Sequence, residues 1–248
     1  VAEAAKGEGC LYGVGVGPGD PELLTLKAVR VIKSADVIFA PQAETSQDSL
    51  ALTVVRDHLD LANQKLVWAS FVVGVDTYAV WNETALEISR YLNRGLSVAF
   101  LTLGDPMLYG SFMYVMEKVL EAEPSMPVEV VPGVSSISAS AASARMPIVS
   151  RRERLAVLPS MYGVDDLRQV LTQFETVVLM KVNQKAIDAV EEIERGGGLK
   201  RCVYVRRAST EREMVVRSAS DVTPDDMDYF SMMILSANRD TVVANPIN

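Results

Sequence analysis

Histidine and cysteine are nearly absent: His58 stands alone, and Cys10 and Cys202 are the two thiols of the chain. A zinc cluster or a Ser/His/Asp triad needs more imidazoles and thiols than this, and two distant cysteines make no disulfide framework. No metal site is expected, and the cysteines read as ordinary thiols of a reducing compartment. Long apolar runs are missing as well. No stretch reaches the roughly 18 residues that a membrane span requires. The opening VAEAAKGEG lacks the apolar centre of a signal peptide. A cytoplasmic protein without membrane contact is the expectation. Positive charge is in deficit, with 24 Lys and Arg against 32 Asp and Glu, net −8. Phosphate binding needs a basic face, so no nucleic-acid partner is expected.

What the chain does hold is apolar content, 49% by a broad count, ample for a packed core. It comes as short runs separated by stretches of helical spacing. GCLYGVGVG (9–17), DVIFAP (36–41), KLVWASFVV (65–73), SVAFLTLGD (97–105) and VEVVPG (128–133) read as strands, the second stopping at Pro41. Residues 21–35, 49–63, 77–95, 111–123 and 135–145 read as helices, the third of them closed by Gly95. This alternation predicts a parallel sheet with helices on both faces. Beyond about residue 146 the pattern shifts to strands at 154–160, 175–182, 201–208, 213–219 and 229–237, with helices near 164–174 and 183–195. The STER tetrapeptide between two of these strands suits a hairpin, so this half predicts a mixed sheet. The expected fold class is therefore α/β, with two α/β domains at 10–146 and 147–241.

Three segments are shaped for chemistry. GVGVGPGD (13–20) follows a strand directly, and its glycines permit a tight turn and close backbone approach to a ligand. It fails the dinucleotide fingerprint, because Pro18-Gly19 breaks the glycine spacing and the second strand ends at Ala40-Pro41 rather than at an acid for a ribose. LTLGDPMLYGS (101–111) lies at the carboxyl end of a strand, the edge at which open α/β sheets bind ligands. There Asp105 suits either a turn cap or a ligand contact. VVPGVSSISASAA (130–142) passes from strand through a Pro-Gly turn into a helix that opens with serines. That opening suits a carboxylate or hydroxyl ligand, or a plain cap at Ser135.

In this order, GxGPGD, then GDPxxYG, then PGVS, the chain resembles the tetrapyrrole methylases over roughly residues 10–241. SLAL (49–52), FLTLGDPMLYGSFMY (100–114), VVLMKV (177–182) and DYFSM (228–232) resemble the precorrin-2 C-20 branch of that family. FVVGVD (71–76) departs from it, standing where a proline-methionine turn is expected. The resemblance implies a class III methyltransferase that binds S-adenosyl-L-methionine in the cleft between the two domains, largely through backbone groups. It implies cofactor contacts from Pro18, Leu103, Gly104, Asp105, Leu108, Tyr109, Ser135, Ser136, Met180 and Ala237. Leu103 replaces a glycine of some relatives, so only its backbone is expected to bind. The implied substrate is precorrin-2 or cobalt-factor II, methylated at carbon 20 in cobalamin biosynthesis, and a homodimer is expected because family members are commonly dimers.

The reaction asks for positioning and for an acceptor of the proton lost from the methylated carbon. Asp105 and Tyr109 are the catalytic candidates by position. A polycarboxylate substrate needs local cations on a chain of net charge −8. RMPIVSRRER (145–154) and KRCVYVRRA (200–208) provide them, with Arg151, Arg152, Arg206, Arg207 and Lys181 as the candidate substrate contacts. Two rival readings stay open: a methylase of the same superfamily acting at another carbon or target, and a noncatalytic cofactor-binding module.

Overall fold

A computed structural model describes residues 9–43, 49–71, 77–159 and 163–236. Within it the chain divides into two units, Val1–Ser136 and Ile137–Asn248. In the first unit, five short apolar runs become strands β1 (Leu11–Gly15), β2 (Val37–Ala43), β3 (Lys65–Phe71), β4 (Val98–Thr102) and β5 (Val128–Val131). They form one wholly parallel sheet in the order β3-β2-β4-β1-β5. A parallel sheet is covered on both faces, which is why its central strand β4 is buried at every residue.

Two helices cover each face. α1 (Leu26–Ser34) and α2 (Leu50–Val55) pack with Val14, Ile38, Ala99 and Leu101. α3 (Thr77–Leu92) and α4 (Phe112–Ala122) pack with Leu11, Phe39, Val98 and Phe100 on the other face. Successive strand residues thus feed the two cores alternately. The element following β1 lies on one face and the element following β4 on the other, although β1 and β4 are neighbours. This is a topological switch point, where a crevice opens beyond the strand ends.

Local chemistry trims several expected elements. The stretch 21–35 does not begin as α-helix. Asp20 caps a 3-10 turn at Pro21–Leu23, and Thr25 then caps α1 by accepting from the Ala28 N–H. The stretch 49–63 holds α2 and a 3-10 turn at Arg56–His58 instead of one long helix. β2 does not stop at Pro41 but continues to Ala43. Beyond Phe39 it pairs with β3 on one side only, a setting that tolerates proline's missing donor. The departure FVVGVD (71–76) lies, after Phe71, outside the described residues.

The second unit opens with helix α5 (Ser136–Ser143), whose first residue closes the first unit, and holds β6 (Leu155–Pro159), α6 (Val164–Gln173), β7 (Thr176–Met180), α7 (Gln184–Arg195), β8 (Arg201–Arg206), β9 (Met214–Val216) and β10 (Ser231–Ser236). Its sheet order is β6-β7-β10-β8-β9. β6 and β7 are parallel and the remaining pairs antiparallel, so the sheet is mixed, with β8 and β9 forming the expected hairpin. α6 and α7 supply Leu167, Leu171, Ile187, Val190 and Ile193 to a core built on Val177, Leu179, Tyr204, Met233 and Leu235. Among the described residues no helix is long and apolar enough to cross a membrane.

Candidate active site

The carboxyl ends of β1, β4 and β5 bring the three chemical segments together within the first unit. The chain leaving β1 and the chain leaving β4 are stitched by an antiparallel bridge between Gly17 and Gly104. Gly104 N–H donates to the Gly17 carbonyl at 2.7 Å, and Gly17 N–H returns a bond at 3.3 Å. The third loop presses against this stitch so closely that a Cβ on Gly133 would stand 2.1 Å from the Gly104 carbonyl oxygen. Only glycine fits there. Gly104 itself has φ +75, and a Cβ on it would meet nothing nearer than the Ser136 backbone nitrogen at 3.9 Å. The loops therefore pack backbone to backbone, and Gly104, itself buried, leaves room where a Cβ would stand beside the start of α5.

Asp105 holds this floor together. One carboxylate oxygen accepts the Met107 N–H at 2.9 Å, closing the turn of its own loop. The other accepts the Gly133 N–H at 3.1 Å, reaching 28 residues along the chain to the β5 loop. Charge-assisted bonds of this kind are the stronger class of hydrogen bond, and these two tie the β4 and β5 loops into one piece. Tyr109 follows in a left-handed backbone conformation, φ 54, and the residue is 42% exposed. A non-glycine residue held there is strained, a feature that gathers at functional loops. Pro18 is buried, Leu103 and Leu108 are half-buried, and Ser135 and Ser136 are half-buried at the opening of α5. All eight of the first-unit residues expected to meet the cofactor thus lie on the three loops at one sheet edge.

The second-unit candidates divide between the two ends of their sheet. Met180 and Lys181 end β7, and Arg206 and Arg207 end β8. Because β7 and β8 both run antiparallel to β10, these four residues share one end. Arg151 and Arg152 precede β6, which is parallel to β7, so they lie at the opposite end, exposed to solvent. The five-residue strand between keeps the clusters on the order of 15 Å apart. Ser236 also lies at that far end, paired with Thr176 and Arg201, while Ala237 falls outside the described residues.

At the near end the cations are partly engaged. Arg207 Nε donates to Asp228 at 2.5 Å, and its guanidinium covers the Phe230 ring at 5.3 Å. Lys181 Nζ stands 5.0 Å from the centre of the Tyr229 ring. These are cation–π contacts, and they fix both side chains against the segment entering β10. Sequence reasoning missed Gly133 as the partner of Asp105. Its only signal was the Pro-Gly pair, which marks a turn and says nothing of a carboxylate from another loop. Among the described residues no group of three or more His, Cys, Asp or Glu is placed to hold a metal ion.

Residues 10–221 match the family of Tetrapyrrole (Corrin/Porphyrin) Methylases. The chain is 32% identical to the cobalt-precorrin-2 C(20)-methyltransferase of Salmonella typhimurium, across 92% of this chain and 96% of that protein. It is also 32% identical to the precorrin-2 C(20)-methyltransferase of Sinorhizobium sp, across 94% and 98%. Among solved structures it is similar to the uroporphyrin-III C-methyltransferase of Thermus thermophilus complexed with S-adenosyl homocysteine. That likeness has a TM-score of 0.60 and 28% identity, over 92% of this chain and 97% of the other.

Proposed function

The chain belongs to the tetrapyrrole (corrin/porphyrin) methylases, and from that premise we propose that it methylates carbon 20 of precorrin-2 or cobalt-factor II, using S-adenosyl-L-methionine, in cobalamin biosynthesis. It is a methyltransferase. The observation that carries the reaction is the near full-length similarity to relatives named for this transfer. The glycine floor supports the cofactor. A ligand held largely by backbone groups needs loops free of side chains at its closest approach, and Gly104, with room left where a Cβ would stand, meets that need.

S-adenosylmethionine, when bound, supplies a methyl group on a sulfonium centre that is already activated for transfer. What remains for the protein is placement. Pro18, Leu103, Gly104, Leu108, Ser135 and Ser136 are assigned to hold the cofactor from the first unit, and Met180 and Ala237 from the second. Asp105 is assigned to positioning, because both of its oxygens already accept backbone N–H groups. Tyr109 is the remaining candidate to relay the proton that leaves carbon 20 as the new C–C bond forms. Lys181 and Arg206 are assigned to the acidic side chains of the substrate, with Arg207 as a fixed neighbour. Arg151 and Arg152, at the far end of the sheet, are assigned a lesser part. A cytoplasmic homodimer completes the reading.

An anaerobic assay with labelled S-adenosylmethionine, offered precorrin-2 and separately its cobalt complex, tests this directly. A single new methyl at carbon 20, located by NMR, is the expected product. Methylation at a different carbon, or tight cofactor binding with no transfer to either substrate, would overturn the assignment of carbon 20.

A further inference from the structure

The β8–β9 hairpin encloses a second feature that the cofactor loops do not use. Its turn, residues 207–213, is tightly organised. The Thr210 N–H and hydroxyl both donate to the Arg207 carbonyl, and the Ser209 N–H donates to Glu213 at 2.6 Å. Arg207 and Ser209 both hold left-handed backbone conformations, φ 47 and 62, which non-glycine residues adopt only under constraint. The strained turn and Asp228 from the segment before β10 line a hollow of about 410 Å³. Every lining residue is charged: Arg206, Arg207, Glu211, Arg212, Glu213 and Asp228.

Internal pairing accounts for some of these charges and leaves others open. Asp228 is held by Arg207. Glu213 accepts from Ser209 and from the Ser143 hydroxyl at 2.6 Å. Arg206 is loosely satisfied, its Nη1 donating to the Asp225 carbonyl at 3.5 Å. Its nearest carboxylate, Asp226, stands 3.9 Å away and is already bonded to the Thr223 N–H and hydroxyl. Its Nε is buried without a hydrogen-bond partner among the described residues, a costly condition for a charged donor. Arg212 is exposed, and its guanidinium has no partner among the described residues.

We propose that this hollow is a carboxylate subsite, in which Arg206 and Arg212 together take one acidic arm of the tetrapyrrole while the Arg207–Asp228 pair forms its rigid wall. The inference rests on the reading of the substrate given above and adds to it Arg212 and a defined location. Guanidinium forks match a planar carboxylate. Three arginines and three acids leave the hollow neutral overall, so a singly charged, planar ligand is the better match and a phosphate dianion the poorer one.

The test uses the full chain and uroporphyrin III, a stable octacarboxylate, followed by fluorescence titration. Arg212→Ala is expected to weaken porphyrin binding about tenfold, and Arg212→Lys to recover only part of it, while S-adenosyl homocysteine binds both variants as it binds the parent. Succinate should compete with the porphyrin more strongly than inorganic phosphate does. Porphyrin affinity within twofold of the parent in Arg212→Ala, absence of porphyrin binding by the parent, or stronger competition by phosphate would each overturn the subsite. The two readings fail separately. Arg212-dependent porphyrin binding without methyl transfer removes the reaction and keeps the subsite. Methyl transfer to precorrin-2 with a KM indifferent to Arg212→Ala removes the subsite and keeps the reaction.

Discussion

At the scale of single residues, Asp105 separates two accounts of the site that its position alone leaves equal. A general base needs a lone pair free to take a proton, and each oxygen here already gives one to a backbone N–H, from Met107 and from Gly133, which favours positioning over proton transfer. Asp105→Asn turns one of these acceptors into a donor facing a donor, so one of the two ties is lost. Loss of a hydrogen bond to a charged group is worth about 1.5–3 kcal/mol, so affinity for S-adenosyl homocysteine should fall roughly tenfold or more by calorimetry. The rate at saturating cofactor should fall far less. Unchanged affinity with a collapse in kcat would instead make Asp105 the proton acceptor. The same scale shows what could be read in advance. GDPxxYG announces a turn at a strand end, but the tie to Gly133 depends on β1 lying between β4 and β5. No spacing along the chain expresses that neighbour relation.

At the scale of elements, most strands and helices were legible because apolar spacing and terminal signals agree. The end of α3 is an instance. Gly95, at φ +77, donates to the Leu92 carbonyl while Leu96 donates to Tyr91, the two bonds of a Schellman close. α5 closes with the same pair of bonds, from Arg145 to Ala142 and from Met146 to Ala141, but with an arginine at φ 50 in place of glycine. No residue type announced that close. The basic segments were legible as charge and misleading as groups, since β8 carries Arg201 to one end of the sheet and Arg206 to the other. At the far end, the start of β7 is clipped to the start of β6: Glu175 accepts from the Arg154 backbone N–H at 2.8 Å and from its guanidinium at 3.2 Å. The Arg154 side chain, and then backbone N–H groups, pull this carboxyl down to about 2 from 4.5. A depressed carboxyl stabilises the fold above its unfolded value and loses that contribution as the pH falls through its folded value. Glu175→Gln should therefore be less stable than the parent at pH 7. In chemical denaturation the gap should begin to narrow near pH 4.5 and vanish as the pH falls through about 2. A gap that stays constant across that window would show that the clip acts through packing rather than charge.

At the scale of the whole molecule, the two thiols offer one internal probe in each unit. Cys10 and Cys202 are both free and buried, one immediately before the interior strand β1 of the parallel sheet and one in β8 of the mixed sheet. Burial raises both thiols, Cys202 to about 12, so neither is a reactive thiolate in the folded chain. Labelling by a thiol reagent must then proceed through opening of the surrounding structure, and its rate follows the free energy of that opening. Cys10 lies at the start of the sheet whose opposite edge carries the glycine floor, so its exposure requires the same strands that position Gly17, Gly104 and Gly133 to come apart. A ligand present at 100 times its Kd stabilises the folded form by about 2.7 kcal/mol, which is close to a 100-fold change in the opening equilibrium. In a Cys202→Ala variant, S-adenosyl homocysteine at that excess should slow Cys10 labelling by about that factor. Inorganic phosphate at the same concentration should leave it unchanged. Labelling that is indifferent to the cofactor product, in protein shown by calorimetry to bind it, would mean that Cys10 is exposed by local fraying of the strand start and that the floor stays folded as it reacts.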